Sequence, residues 1–267
     1  ASALSSDFAA AIRHLHRAYS LALGSGQIRR AILCAGNLGD SLSSLNEYQA
    51  ALEWMQRGLD LARKSGGPSC IGSALIQTAQ PMHQLRRHDG ARQLLLEAIH
   101  ILEPLAASRT YAVALQYLGD VELDCHEYES ALATFQLLEQ RALALNHPDL
   151  QALAQRGQAH ALLELKQSVE ALEVVRAALK TASARPDLQI AALRVKADIL
   201  ARQDGSAALL CLQQALALAA GIDGYTVGGE LYDACAREHA KLGDFAKAYE
   251  FALAASSARE KTHNRDA

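Results

Sequence analysis

The chain has 267 residues, 50% of them hydrophobic, so it can bury a sizeable core; its net charge of −3 excludes the basic excess expected of a nucleic-acid surface. Aromatic residues make up only 5% and prolines number five, and with Leu and Ala dominant this balance favours helix over strand. No apolar run approaches the roughly 18 residues of a membrane span. Cys34, Cys70, Cys125, Cys211 and Cys235 show no C-x-x-C and no metal-finger spacing, as expected of small apolar side chains in a reducing, cytoplasmic compartment.

In chain order, apolar residues at i, i+3, i+4 and i+7 predict a leading helix over 7–23 and then six helix pairs. The first helices cover 27–44, 69–86, 108–125, 148–165, 186–202 and 224–242. The second helices cover 47–64, 88–105, 128–145, 168–182, 205–220 and 244–260. "HPDL" and "RPDL" place Pro at a first helical position, where its missing N–H costs nothing, and "SGG", "NH" and "DG" punctuate other turns.

The pairs repeat. "LGDSLSSLNEYQAAL" at 38–52 and "LGDVELDCHEYESAL" at 118–132 match at an offset of 80 residues. Ala11, Ala51, Ala91, Ala131 and Ala171 fall 40 apart; Ala208 follows after 37 and Ala248 after 40. The second "PDLQ" lies 38 residues after the first, so part of the shortened step falls between Ala171 and Pro186. Self-similarity at this period signals a solenoid, in which no pair can bury both its faces alone. Gly39, Ala79, Gly119, Ala159, Ala197 and Ala236 then sit where the first helix lies nearest the second, and the alanine series serves the same purpose on the second helix. Met55, Leu95, Phe135, Val175, Leu212 and Ala252, one turn on, fill the groove against the next pair.

A small residue, Ala about twelve positions later, a bulky apolar residue four later and a small residue after that resemble the tetratricopeptide repeat (TPR). Gly39, Ala51, Met55 and Gly58 match the pattern, as do Gly119, Ala131 and Phe135. The unit is 40 residues where the standard repeat has about 34, and this longer form is similar to the TPR regions of large bacterial regulators of the maltose-operon activator type. The Trp of the first helix and the closing Pro of the second are missing. The resemblance implies an all-α fold, a right-handed α-α superhelix, over residues 1–255.

Catalytic motifs are missing: there is no H-E-x-x-H, G-x-S-x-G or G-x-x-x-x-G-K-[ST]. His14 and His16 lie on different helix faces, and His83 and His88 straddle a turn. "GIDGYTVGGE" at 221–230 precedes a helix but follows no strand, and reads as a connector. The expectation is a non-enzyme without metal or cofactor. Instead, the first helices should line a polar concave groove. By the repeat register it carries Asn37, Asp40, Gln77, Gln80, His83, Gln116, Tyr117, Asp120, Arg156, His160, Arg194, Asp198, Asp233 and Arg237. Arginines gather in its C-terminal half, and their planar forks grip carboxylates, so the expected partner is an extended peptide or protein segment with an acidic group. The competing reading is a structural ladder in which Asp120–Arg156 and Asp198–Arg237 neutralise each other. Of the Lys/Asn set of chaperone-binding TPR domains only Asn37 has a counterpart, which speaks against chaperone tails.

At the end of the chain, "SSAREKTHNRDA" lacks both an apolar stripe and a Gly or Pro stop, and past Ala255 the helix is expected to leave the solenoid. "DFAKAYEFALAASSAREKTHNRDA" resembles the junction in bacterial signalling proteins where a TPR sensor region runs through a charged helix into an output module, often a diguanylate cyclase (GGDEF) domain. Residues 256–267 are then the start of a connecting helix to a downstream domain. A freestanding scaffold is the alternative, and an exposed terminal face would serve a homodimer. No membrane or nucleic-acid partner is expected.

Overall fold

A computed structural model describes the backbone of residues 2–263 and the side chains of residues 10–260 apart from residue 65. Every regular element among the described residues is a helix. The helices gather into two compact units. The first holds α1 (Ser2–Gly24), α2 (Ile28–Ser44), α3 (Tyr48–Ser65), α4 (Pro68–Gln84), α5 (His88–Leu102), a 3-10 turn (Glu103–Leu105) and α6 (Arg109–Asp124). The second holds α7 (Tyr128–Ala144), α8 (Pro148–Glu164), α9 (Ser168–Thr181), α10 (Pro186–Leu200), α11 (Gly205–Ala220), α12 (Gly229–Lys241) and α13 (Phe245–His263). Within each unit, consecutive helices pack on one another, as stacked helix pairs require.

The small-residue series does what its spacing predicts inside the stack. Ala51, Ala91, Ala131, Ala171 and Ala208 are fully buried. A Cβ on Gly39 would lie 2.4 Å from Met55 Cγ, and one on Gly58 would lie 3.2 Å from the Ala35 methyl. In the second unit Gly157 does the same for Phe135, whose ring would meet a Cβ at 2.4 Å. Met55, Leu95, Phe135, Val175 and Leu212 are buried in turn, each such side chain contributing about 1.5–3 kcal/mol.

The series breaks at its two ends. Ala11 and Ala252 are exposed and Ala248 is half-buried, because no described helix covers those faces. On α12, Ala236 is half-buried and Cys235, 1% exposed, takes the close-packed position. α12 also starts at Gly229 rather than 224: Gly224 has φ +72° and Gly228 is extended, so the connector runs further than the apolar pattern implies. Packing of α13 on α12 continues past the Ala255 limit that the stripe predicts, with Ala258 buried and Arg259 paired to Asp233. Its opposite side turns Phe245, Tyr249 and Leu253 outward. Residues 264–267 of the expected connecting helix lie outside the described residues.

The turns explain the Glu-Tyr echo. Asn46 and His126 are both left-handed (φ 63° and 61°). The Tyr48 hydroxyl donates to Asn46 Oδ1 at 2.7 Å, and Tyr128 Oη lies 2.8 Å from His126 Nδ1. Helix ends at Asn46, Arg86, Asn146 and Lys166 share one bonding scheme. Asn46 N–H reaches Ser43 O and Glu47 N–H reaches Leu42 O, both at 3.0 Å, the two bonds of a Schellman motif. Lys166 and Gln167 repeat it on Leu163 and Leu162, at 3.0 and 2.8 Å. Where the alanine spacing drops to 37, the turn changes type: Asp204, in extended backbone, caps α11 by accepting from Ser206 N–H and Ala207 N–H. The PDL echo is also structural, since Arg185 bridges Asp149 and Asp187 at the starts of α8 and α10.

Two stability changes follow, both readable by urea unfolding. Gly157→Ala, which in an open helix gains up to about 1 kcal/mol, is expected to lower stability here, since overpacking against the Phe135 ring costs about 1–3 kcal/mol. Lys166→Gly is expected to raise it by up to about 1 kcal/mol, because a left-handed non-glycine residue carries a penalty of about that size.

Candidate functional site

In the first unit the predicted groove residues sit on α2, α4 and α6. Asn37 and Gln77 line a cavity of about 280 Å³ together with Arg29, Cys70 and Ser73. Gln77 lies along α2 over Gly36, where a Cβ would meet its Oε1 at 2.7 Å and the side chain would have to shift. Its Nε2 donates to Asp40 Oδ2 at 3.3 Å. Asp40 reaches solvent, yet surrounding protein raises its carboxyl above the ordinary range, with the Gln77 bond opposing. Gln80 hydrogen-bonds Tyr117, whose phenol is pushed up by burial and then by Asp120 and Asp40. Gln116 is half-buried on α6. His83 departs from this row: its Nε2 lies 2.7 Å from Asp124 Oδ2, at the α4–α5 turn.

The second unit brings its predicted residues together more tightly. His160 of α8, Arg194 and Asp198 of α10 and Arg237 of α12 line one cavity of about 350 Å³. Arg156, one turn before His160, adds its positive field. Four further charged side chains join the wall, Glu164, Arg202, Glu238 and Lys241, with Leu163 and Ala201. They were missed, but the signal was present. Three of the charged ones continue a predicted residue by four positions, His160–Glu164, Asp198–Arg202 and Arg237–Lys241, and Glu238 lies three before Lys241. Residues four apart share a helix face.

The charges in this cavity are mostly paired. Arg237 lies 3.5 Å from Asp198, Arg202 lies 2.9 Å from Glu164, and Lys241 lies 2.7 Å from Glu238. Arg202 also donates to the Leu163 carbonyl. Arg194 differs: its partner, Glu230 at 3.3 Å, is 81% exposed. Asp233 turns away from the cavity to Arg259 on α13, which removes it from the predicted set. Burial raises the Asp198 carboxyl, with the Arg194 and Arg237 guanidiniums opposing. Burial, then Arg194 and Arg156, lowers the His160 imidazole. The cavity is thus a polar recess of mostly paired charges in which His160 is held neutral until acid is added.

Two other groupings escaped the sequence. Glu139 on α7 is clamped by Gln155 and Gln158 of α8, each at 2.7 Å, and Thr181 of α9 donates to Gln155 Oε1 at 3.0 Å. These polar side chains sit at core positions of an apolar pattern and give no periodic signal. His83, His88 and Asp124 also meet, through a turn that folds His88 back onto α4. Cys211 and Cys235 are buried, the other cysteines half-buried, and burial pushes the Cys235 thiol up to about 11. Among the described residues no helix is long and apolar enough to cross a membrane.

No protein-family model matches the chain, and no curated protein sequence matches it either. Solved structures do. A Rap protein complexed with Competence and Sporulation Factor superposes with a TM-score of 0.64 at 12% identity, over 89% of this chain and 76% of that one. A putative kinesin light chain with TPR-like repeats from Podosopora anserina gives 0.60 at 14% identity, over 73% and 96%. The TPR-sensor protein PH0952 of Pyrococcus horikoshii, a signal transduction ATPase with numerous domains, gives 0.62 at 15% identity, over 89% of this chain and 37% of that one. The fold is that of TPR-like helical repeats. The expected fold class therefore holds across the stacked pairs.

The His160 environment has a measurable consequence. Its folded-state pKa is lowered, so as pH falls below about 6.5 the unfolded chain takes up the proton first. Stability associated with this group is complete above that pH and is lost on acidification. His160→Gln is expected to flatten the fall in unfolding free energy between about pH 7 and 5, measured by urea titration at a series of pH values.

Proposed function

We propose that the chain is a non-catalytic binding module which holds an acidic segment of a peptide or partner protein against α8, α10 and α12. The observation that carries this reading is the convergence of His160, Arg194, Arg202, Arg237 and Lys241 on one open cavity. A carboxylate entering it meets guanidinium forks that bind it bidentately. Arg194 is the first to be recruited, because its link to the exposed Glu230 is worth about 0–1 kcal/mol. Precedent for the fold holding a partner comes from the Rap protein solved in complex with Competence and Sporulation Factor. The amide-lined cavity around Asn37 and Gln77, in the first unit, would hold the neutral backbone of a peptide segment.

A labelled oligoglutamate serves as the probe, read by fluorescence anisotropy. Arg194→Glu combined with Arg237→Glu is expected to weaken it by roughly tenfold or more. Acidification well below about pH 6.5 is expected to tighten it in the parent protein, because His160, whose pKa burial and the neighbouring arginines lower, gains charge only there. Unchanged affinity in the folded double variant would sink the reading.

We further infer that the module is regulatory and acts on an attached output domain, of which a diguanylate cyclase is the favoured type. Support comes from the junction-like wording of residues 244–267 and from the multidomain setting of the TPR sensor in PH0952. The parent gene decides this: an output domain reading on from Ala267 sustains it, and a stop codon there leaves a freestanding scaffold.

A further inference from the structure

We propose that His83, His88 and Asp124 form a binding site for a divalent transition-metal ion of the zinc class. The three come from different elements: the last turn of α4, the first residue of α5 and the last residue of α6. One ligand atom of each lies within 4.8 Å of the other two. The closest edge, His83 Nε2 to Asp124 Oδ2, is 2.7 Å, and the two imidazole centroids are 5.3 Å apart at 63°. Tetrahedral zinc with bonds near 2.1 Å needs ligand–ligand edges of about 3.4 Å. The short edge therefore opens and the longer ones close by up to about 1.4 Å, which rotation of the exposed Asp124 side chain and the His88 ring can supply.

A second observation points the same way. Nδ1 of His88 is buried and has no hydrogen-bond partner. Such an orphan costs about 1–3 kcal/mol, and an ion held through that nitrogen would remove the deficit. Two imidazoles and one carboxylate are the donor set of open zinc sites, where water completes the shell. Calcium and magnesium prefer oxygen ligands alone. Electrostatics agree on balance: the C-terminal ends of α4 and α6 present their negative poles to the cluster, against one positive pole from α5. Nearby Arg87 is drawn off by Gln49 at 3.2 Å. Coordination through His83 Nε2 uses that nitrogen's lone pair, so the proton shared with Asp124 moves to Nδ1 or, from an imidazolium, to solvent. The bound ion would tie a helix pair to the first helix of the next, stiffening the stack at that point.

The test titrates the intact chain with Zn²⁺ by calorimetry and with Co²⁺ by visible absorption. The expected result is one equivalent bound, intense four-coordinate Co²⁺ bands and a higher unfolding temperature with Zn²⁺. His88→Gln and Asp124→Asn should each weaken binding by roughly tenfold or more, while His100→Gln, an exposed histidine elsewhere, should not. Far-UV circular dichroism without metal checks that the variants fold. No Co²⁺ bands in the parent protein, or undiminished Zn²⁺ binding in both site variants, would overturn the proposal.

Discussion

The distance at which neighbouring helix axes can run side by side, within a pair and between one pair and the next, governs everything else in this chain. Gly39 admits Met55 and Gly157 admits Phe135, and in both cases a methyl group would stand 2.4 Å from the intruding side chain. A bulky residue on one helix is thus matched by a missing one on its neighbour. This complementarity, rather than total hydrophobicity, explains why so aromatic-poor a sequence packs densely. Small residues occupy the facing surface of each first helix, so the larger polar side chains of that helix are displaced to its other side. The candidate groove residues stand where they do because the packing surface excludes them.

The same displacement shapes the cavity of the second unit. Arg194, Asp198 and Arg202 step along α10 by one turn each, and His160–Glu164 and Arg237–Lys241 do so on the flanking helices. Alternating signs along and across these rows produce pairs at 2.7–3.5 Å. Taken singly, partly exposed pairs contribute little to stability. Their effect is positional: each carboxylate holds a cation at a set height in the recess, so a ligand meets oriented forks instead of free side chains. The competing ladder, in its Asp198–Arg237 rung, is therefore present and is compatible with binding.

Legibility follows from what kind of physics each feature uses. Helix pairs could be read because burial repeats: Ala51 to Ala208 are all at 0% exposure, and a residue that must be small leaves a periodic trace. The polar faces of α8 and α10 were legible for the same reason, as the complement of that trace. The pattern failed at α12, where Cys235 rather than Ala236 is buried and eight connector residues precede Gly229, because glycine-rich backbone carries no period. Left-handed turns at Arg86 and Lys166 were hidden, since neither residue type advertises φ > 0. His83, His88 and Asp124 were hidden for a related reason, as their meeting depends on that turn at Arg86 and on stacking between pairs, neither of which is a sequence spacing.

The cavity also sets a condition on any ligand. Arg202 is held by Glu164 and by the Leu163 carbonyl, Arg237 by Asp198, and Lys241 by the nearly buried Glu238. Displacing Glu238 from Lys241 would leave a buried carboxylate uncompensated, a cost of several kcal/mol. Displacing Glu230 from Arg194 releases a side chain already in water. A single incoming carboxylate therefore gains most at Arg194 and disturbs least there. Acid enlarges the gain: as His160 takes a proton and Asp198 loses its charge, the recess becomes more positive without any movement of the helices. On the proposed function, affinity for an acidic segment would depend on the protonation of two half-buried side chains, one on α8 and one on α10, that the close packing of small residues has turned toward the same space.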